Sequence, residues 1–173
     1  IPLSAYQALN AETYQTKSFS IDTEIPLPEK VLQSIPAYLK KQSEGFVMST
    51  RQFDAIRSNR DSAILLMDQC IKKSGMVSDL LKEKIVRFDA YELIPTLVKH
   101  LETSSSIKDP YVLTVLCLLM RYNYDSFNAS ALYKDLYVSE GKDNSYARKN
   151  YKRSIPFTIQ NYNAIIHLAN AYY

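Results

Sequence analysis

The stretch LLKEKIVRFDAYELIPTLVKHLETSSSIKDPYVLTVLCLLMRYNY, Leu80 to Tyr124, decides how the rest of the chain is read. It holds two adjacent helical patterns, each with its own start signal. Asp89 followed by Glu92 has the spacing of a capping box, and Leu93, Ile94, Leu97, Val98 and Leu101 then recur at helical intervals. Asp109-Pro110 places an N-cap before a proline at the first helical position, where the missing N–H is not needed. Val112, Leu113, Val115, Leu116, Leu118, Leu119 and Met120 make the second helix apolar nearly all round, which predicts a position in the middle of a helical stack.

The pattern continues on both sides. Leu3 to Thr16 is predicted as a short helix, and Ser18 to Leu27 as a linker or wrapping arm because residues before proline avoid the helical region. Pro28 opens a helix with Val31, Leu32, Ile35, Tyr38 and Leu39 on one face, kinked or split at Pro36. Ser49 with Gln52 is a second capping-box spacing. Arg60 to Lys73 is predicted to bury Ile64, Leu65, Leu66, Met67, Cys70 and Ile71 and to expose Asp61, Asp68, Lys72 and Lys73. Ser78 or Asp79 caps the next helix, through Phe88. Phe127 to Val138 is predicted as one amphipathic helix and Ser145 to Arg153 as a basic one. Thr158 caps a last helix that buries Ile159, Tyr162, Ile165, Ile166, Ala169 and Tyr172. No strand alternation persists. The expected fold is all-α, with about eight or nine short helices stacked as a helical-repeat-like bundle. Residues 1–27 form an N-terminal arm and short helix and residues 28–173 the helical domain, with a subdivision near 75–78.

Composition narrows the chemistry. Over 173 residues, hydrophobic content is 46% and charged content 23%, values of a globular chain with a core rather than a disordered one. A net charge of +3 gives no whole-chain case for nucleic acid. The three glycines, Gly45, Gly75 and Gly141, each follow a helical pattern and read as helix stops, which leaves no Gly-rich phosphate loop. Cys70 and Cys117 lie in apolar helical stretches and read as small buried hydrophobes in a reducing compartment. No run approaches the roughly 18 apolar residues of a membrane span. With Ile1 first and no signal-peptide pattern, the chain is expected to be cytoplasmic, and a processed product or the ordered part of something longer.

Catalytic constellations are sparse. His100 lies near a helix end, where the dipole favours a cation, and His167 sits between Ile166 and Leu168 as a half-buried packing residue. Neither has a ligand-type residue at i+3 or i+4, and no G-x-S-x-G, P-loop, H-E-x-x-H or C-x-x-C motif occurs. No catalytic, cofactor-binding or metal-ligating residue is assigned, and enzymatic activity is not expected.

Two features point to partners. Arg148, Lys149, Lys152 and Arg153 share one helical face, with Tyr146 and Tyr151 interleaved, a pattern that can follow phosphates and stack on bases. The plainer reading is a solvated face with its tyrosines packed inward. Fourteen tyrosines against no tryptophan is the second feature, since tyrosine combines contact area with a polar tip. Tyr122, Tyr124, Tyr133, Tyr137, Tyr172 and Tyr173 form a protein interface if their helices are neighbours.

The central stretch resembles subunit K of eukaryotic translation initiation factor 3. Leu80-Leu81-Lys82, Arg87-Phe88, Leu93, Leu97 and Glu102-Thr103 match its order of a leucine-lysine helix, an arginine-aromatic pair and a leucine-rich helix ending in Glu-Thr. Leu116, Leu119, Tyr122 and Tyr124 fall in register with its N-L-x-x-L-x-L-Y-x-F helix. The match covers residues 80–124, and the family's winged-helix part does not show. The resemblance implies a non-catalytic scaffold subunit docked beside other helical subunits in a ribosome-bound assembly, with no cofactor and no membrane. The basic cluster favours the alternative of a helical nucleic-acid-binding protein, such as a lobe of a viral nucleoprotein.

Overall fold

A computed structural model of the chain describes residues 34–39, 49–103, 109–138 and 153–173. The fold is all-α. Among the described residues there are eight α-helices, one 3-10 turn and a two-stranded sheet. In chain order these are β1 (Ser34–Pro36), α1 (Thr50–Ser58), α2 (Arg60–Ser74), α3 (Asp79–Arg87), the 3-10 turn Tyr91–Leu93 and α4 (Ile94–Thr103). There follow α5 (Pro110–Arg121), α6 (Asp125–Asn128), α7 (Ala131–Tyr137), β2 (Ser154–Pro156) and α8 (Ile159–Tyr172).

Helix α5 is the centre. Pro110 and every residue from Val112 to Met120 are buried, and α3, α4, α8 and β1 pack against the helix. Its start is the expected one: Asp109 takes extended backbone and its carboxylate accepts from the Tyr111 amide at 2.8 Å. The other oxygen of Asp109 accepts from Lys82 at 2.6 Å, and Lys82 also reaches Asp79 at 2.8 Å. Lys82 thus ties the first turn of α3 to the first turn of α5. Burial alone would lower the Lys82 pKa, but the hydrogen bonds it donates to Asp109 and Asp79 outweigh that and raise it.

Most of the other helix boundaries follow the side-chain signals. Ser49 and Gln52 form the reciprocal capping box of α1. Ser78 and Thr158 cap α3 and α8, and Gly75 stops α2 in the left-handed region at φ 64°. The core formed with α5 draws on residues from both sides of Gly75, including Met67, Ile71, Ile85, Leu97, Phe127 and Ile165. A smaller cluster joins Ile56 and Ala63 to Phe53 and Phe88, whose rings stack at 5.1 Å.

Expectations for four segments are corrected. Ser34–Pro36 is a strand and not part of a helix opened at Pro28, because Pro36 forces Ile35 into extended backbone. The same tripeptide, Ser-Ile-Pro, recurs at 154–156 and pairs antiparallel with it, Ile35 opposite Ile155. The 127–138 helix is two helices, because Ser130 turns out of the helical region to cap α7. On α2, the buried stripe is Ala63, Met67 and Ile71, while Leu65 is 57% exposed and Cys70 also faces out. On α8, Ile159 is 70% exposed, since it precedes the first turn that reaches the core, and His167 is exposed rather than half-buried. The expected short helix at 3–16, the arm at 18–27, Gly45, Gly141 and the basic stretch 145–152 lie outside the described residues.

Residues 34–39 are strapped across the bundle. Thr114, buried in α5, donates from its hydroxyl to the Pro36 carbonyl at 2.7 Å. The Tyr137 hydroxyl donates to the Ala37 carbonyl at 3.1 Å, and the Ala37 amide donates to the Arg153 carbonyl at 2.8 Å. Among the described residues no helix is long and apolar enough to cross a membrane.

Candidate docking surface

The turn from α3 to α4 builds one end of the bundle. Asp89 has φ 47°, a left-handed conformation that aspartate tolerates better than most residues. Two neighbours hold it there: Arg60 of α2 donates to its carbonyl at 2.9 Å, and Asn123 donates to its carboxylate at 3.2 Å. Asp89 and Glu92 do not form the expected capping box. Asp89 is bent away to Asn123, and Glu92 receives both arms of the Arg60 guanidinium, one of them at 3.0 Å. Burial alone would raise the Glu92 pKa, but the Arg60 hydrogen bond outweighs it and holds the carboxyl below its usual range. Arg60 also lies over the Tyr91 ring, 5.7 Å from its centroid.

Aromatic rings gather beside this turn. Tyr172, at the end of α8, meets Tyr124 at 5.1 Å and Tyr91 at 6.4 Å between ring centroids. Burial, then the nearby Asp89 charge, push the Tyr172 phenol above its ordinary pKa. Tyr122 and Tyr173 flank the cluster in sequence and are 71% and 68% exposed. Arg121 lies 5.3 Å from the Tyr122 ring centroid. Of the six tyrosines singled out in the sequence, Tyr124 and Tyr172 are brought into contact here. Tyr91 and Arg60, which sequence reading passed over, complete the group.

Tyr133 and Tyr137 face another way. They pack on each other at 5.3 Å and on Phe127, and Tyr137 stacks edge-on against Tyr38. Arg121 sits 4.4 Å from the Tyr137 centroid and donates to the Tyr38 hydroxyl at 3.1 Å. Burial pushes the Tyr137 phenol far up. Tyr137 holds the strap, and Tyr133 packs against it from α7.

Of the basic cluster, Tyr146, Arg148, Lys149, Tyr151 and Lys152 lie outside the described residues. Arg153 is described: it is half-buried and leads into β2, outside any helix. The Cys117 thiol is buried in α5, its pKa pushed up to about 12 by desolvation, so it stays protonated and unreactive at neutral pH. Cys70 lines a cavity of about 540 Å³ between α2 and α3 with Leu66, Met76 and Leu81. Among the described residues no three of His, Cys, Asp and Glu converge as metal ligands.

The end of the bundle around Asp89 therefore offers tyrosines, the Arg60 guanidinium and two carboxylates held by hydrogen bonds between elements. Such a surface suits contact with another protein, where tyrosine and arginine contribute most per residue. No known family, curated protein or solved structure matches the chain.

Proposed function

We propose that the chain is a non-enzymatic helical docking module that binds other helical subunits through the end of the bundle around Asp89. The observation that carries this reading is the cluster of Tyr91, Tyr124 and Tyr172 with Arg60, flanked in sequence by the exposed Tyr122 and Tyr173. Tyrosines held by their neighbours lose little freedom on binding, which favours contact over catalysis. The charged groups beside them are already engaged with one another and have the mixed sign of a protein interface.

The assembly we propose is cytoplasmic and of the translation-initiation type, on the sequence resemblance over residues 80–124. The leucines at its helical positions, Leu93, Leu97, Leu116 and Leu119, are buried in the core, while Arg87, Glu102, Thr103 and Tyr122 are exposed. The leucines of the resemblance therefore bear on helix packing, and Tyr122 is its aromatic contribution to the surface.

Affinity purification of the full chain from its source cell, after mild cross-linking, tests the proposal. Helical partner subunits and ribosomal proteins are expected to co-purify, and a Tyr122→Ala, Tyr173→Ala double variant is expected to lose them with an unchanged melting temperature. Recovery of the chain as a lone monomer near its native concentration would overturn it.

A further inference from the structure

Arg121 closes α5, and among the described residues it pairs with no carboxylate. Three phenol rings hold it instead. Its guanidinium carbon lies 4.4 Å from the ring centroid of Tyr137 on α7, 5.3 Å from that of Tyr122 and 5.5 Å from that of Tyr38 in the strap. Nη1 donates to the Tyr38 hydroxyl at 3.1 Å. The ring faces attract the positive charge and leave the other N–H groups without an oxygen acceptor. Arg121 is partly exposed, and none of its nitrogens is buried without a partner, so Nε and Nη2 face water. The Tyr122 ring beside them is exposed as well.

We propose that Arg121 anchors a glutamate or aspartate side chain of a partner protein, its free guanidinium edge donating to both carboxylate oxygens while the Tyr122 ring covers an apolar residue beside it. The inference rests on the docking reading for the nature of the partner, and adds the chemistry that the partner must present. Arginine's planar fork matches the two oxygens of a carboxylate, and Nε with Nη2 is one edge of that fork. Phenols are neutral at pH 7, so the group carries one positive charge, which a single carboxylate balances. Phosphate fits less well. Among the described residues no second cation lies over these rings. Arg121 also stands at the C-terminal end of α5, where the helix dipole is negative and a dianion is disfavoured. The rings fix the arginine before a partner arrives, so little freedom is lost on binding.

The test follows the Arg121 Nε–Hε cross-peak of the full chain by NMR, assigned by its loss in Arg121→Lys, at about pH 6, where glutamate is ionised. The probe is the peptide acetyl-Leu-Glu-Leu-amide, with acetyl-Leu-Gln-Leu-amide as its uncharged counterpart. The glutamate peptide is expected to shift the cross-peak with saturation, and the glutamine peptide to bind about tenfold more weakly. Inorganic phosphate at equal ionic strength is expected to bind more weakly than the glutamate peptide. Arg121→Lys, followed at the Tyr122 amide, is expected to lose affinity, since it keeps the charge without the fork. No shift of the cross-peak, equal binding of the two peptides, tighter binding of phosphate, or native affinity in Arg121→Lys would each overturn the inference. The native-chain titrations decide the matter even if a variant unfolds. Carrying Arg121→Gln through the affinity purification separates this inference from the docking reading. Loss of the partners is expected. Partners retained by a folded Arg121→Gln chain but lost from the Tyr122→Ala, Tyr173→Ala variant would overturn the carboxylate anchor and leave the docking reading in place.

Discussion

Asp89 shows how much a single residue settles here. Among the described residues it alone combines a side chain with a positive φ, and its carbonyl and carboxylate are both held by other elements. Asp89→Gly relaxes the backbone but loses the Asn123 contact, so urea unfolding is expected to give a stability within about 0.5 kcal/mol of the native chain. Asp89→Val keeps the strain, adds a branched side chain and loses the contact, and is expected to cost about 2 kcal/mol or more. Glu92 offers a second residue-scale measurement. Its pKa is lowered in the fold, so its contribution is full above its unfolded value of about 4.3 and is lost as pH falls through the lower folded value. Glu92→Gln is therefore expected to be less stable than the native chain at pH 7 and to converge with it as pH falls below the folded value. Parallel stability curves over that whole range would show that the Arg60 pair contributes nothing. None of this was legible in the sequence. Asp89-x-x-Glu92 has the spacing of a cap, and only the position of Arg60, far back in the chain, diverts Glu92 from that role.

At the scale of elements, helices that bury a continuous stripe were legible and those that bury part of one were misjudged. Helix α5 was read correctly because nearly all of its side chains are apolar, so no choice of face arises. In α2 the run Ile64-Leu65-Leu66-Met67 offers more apolar residues than one face can hold, and Leu65 is left outside. Leu116→Asp places a carboxylate in the core, a penalty of several kcal/mol against a total stability of about 5–15 kcal/mol, and is expected to abolish cooperative folding. Leu65→Asp is expected to cost only about 0.5 kcal/mol, the helix-propensity difference. Thermal melts followed by circular dichroism separate the two. A normal melt for Leu116→Asp would mean that α5 is not the centre of the bundle. The strands illustrate a different failure of periodicity. Three residues are too few to show alternation, and the usable signal was the recurrence of Ser-Ile-Pro, whose proline extends the isoleucine before it in both copies.

For the whole molecule, the decisive contacts join the two ends of the described chain. Ile35 and Ile155 are both buried in the core, and β1 and β2 pair over α5 and α7. Closing so long a loop is entropically unfavourable, so the strap is held by fixed polar contacts as well as by burial. Thr114 is the central one, because its hydroxyl gives the Pro36 carbonyl a partner inside the fold. Thr114→Val is close in shape and removes only that donor. It leaves a carbonyl without its partner, at an expected cost of about 1–3 kcal/mol. The loss should be local, since α5 keeps its backbone ladder and its apolar contacts. Amide hydrogen exchange makes the distinction: the Ala37 amide, which donates to Arg153, is expected to lose protection by one to two orders of magnitude, while amides in the middle of α5 retain theirs. Equal loss at both places would mean that strap and bundle unfold as one unit, with the strap as essential to the core as α5 itself.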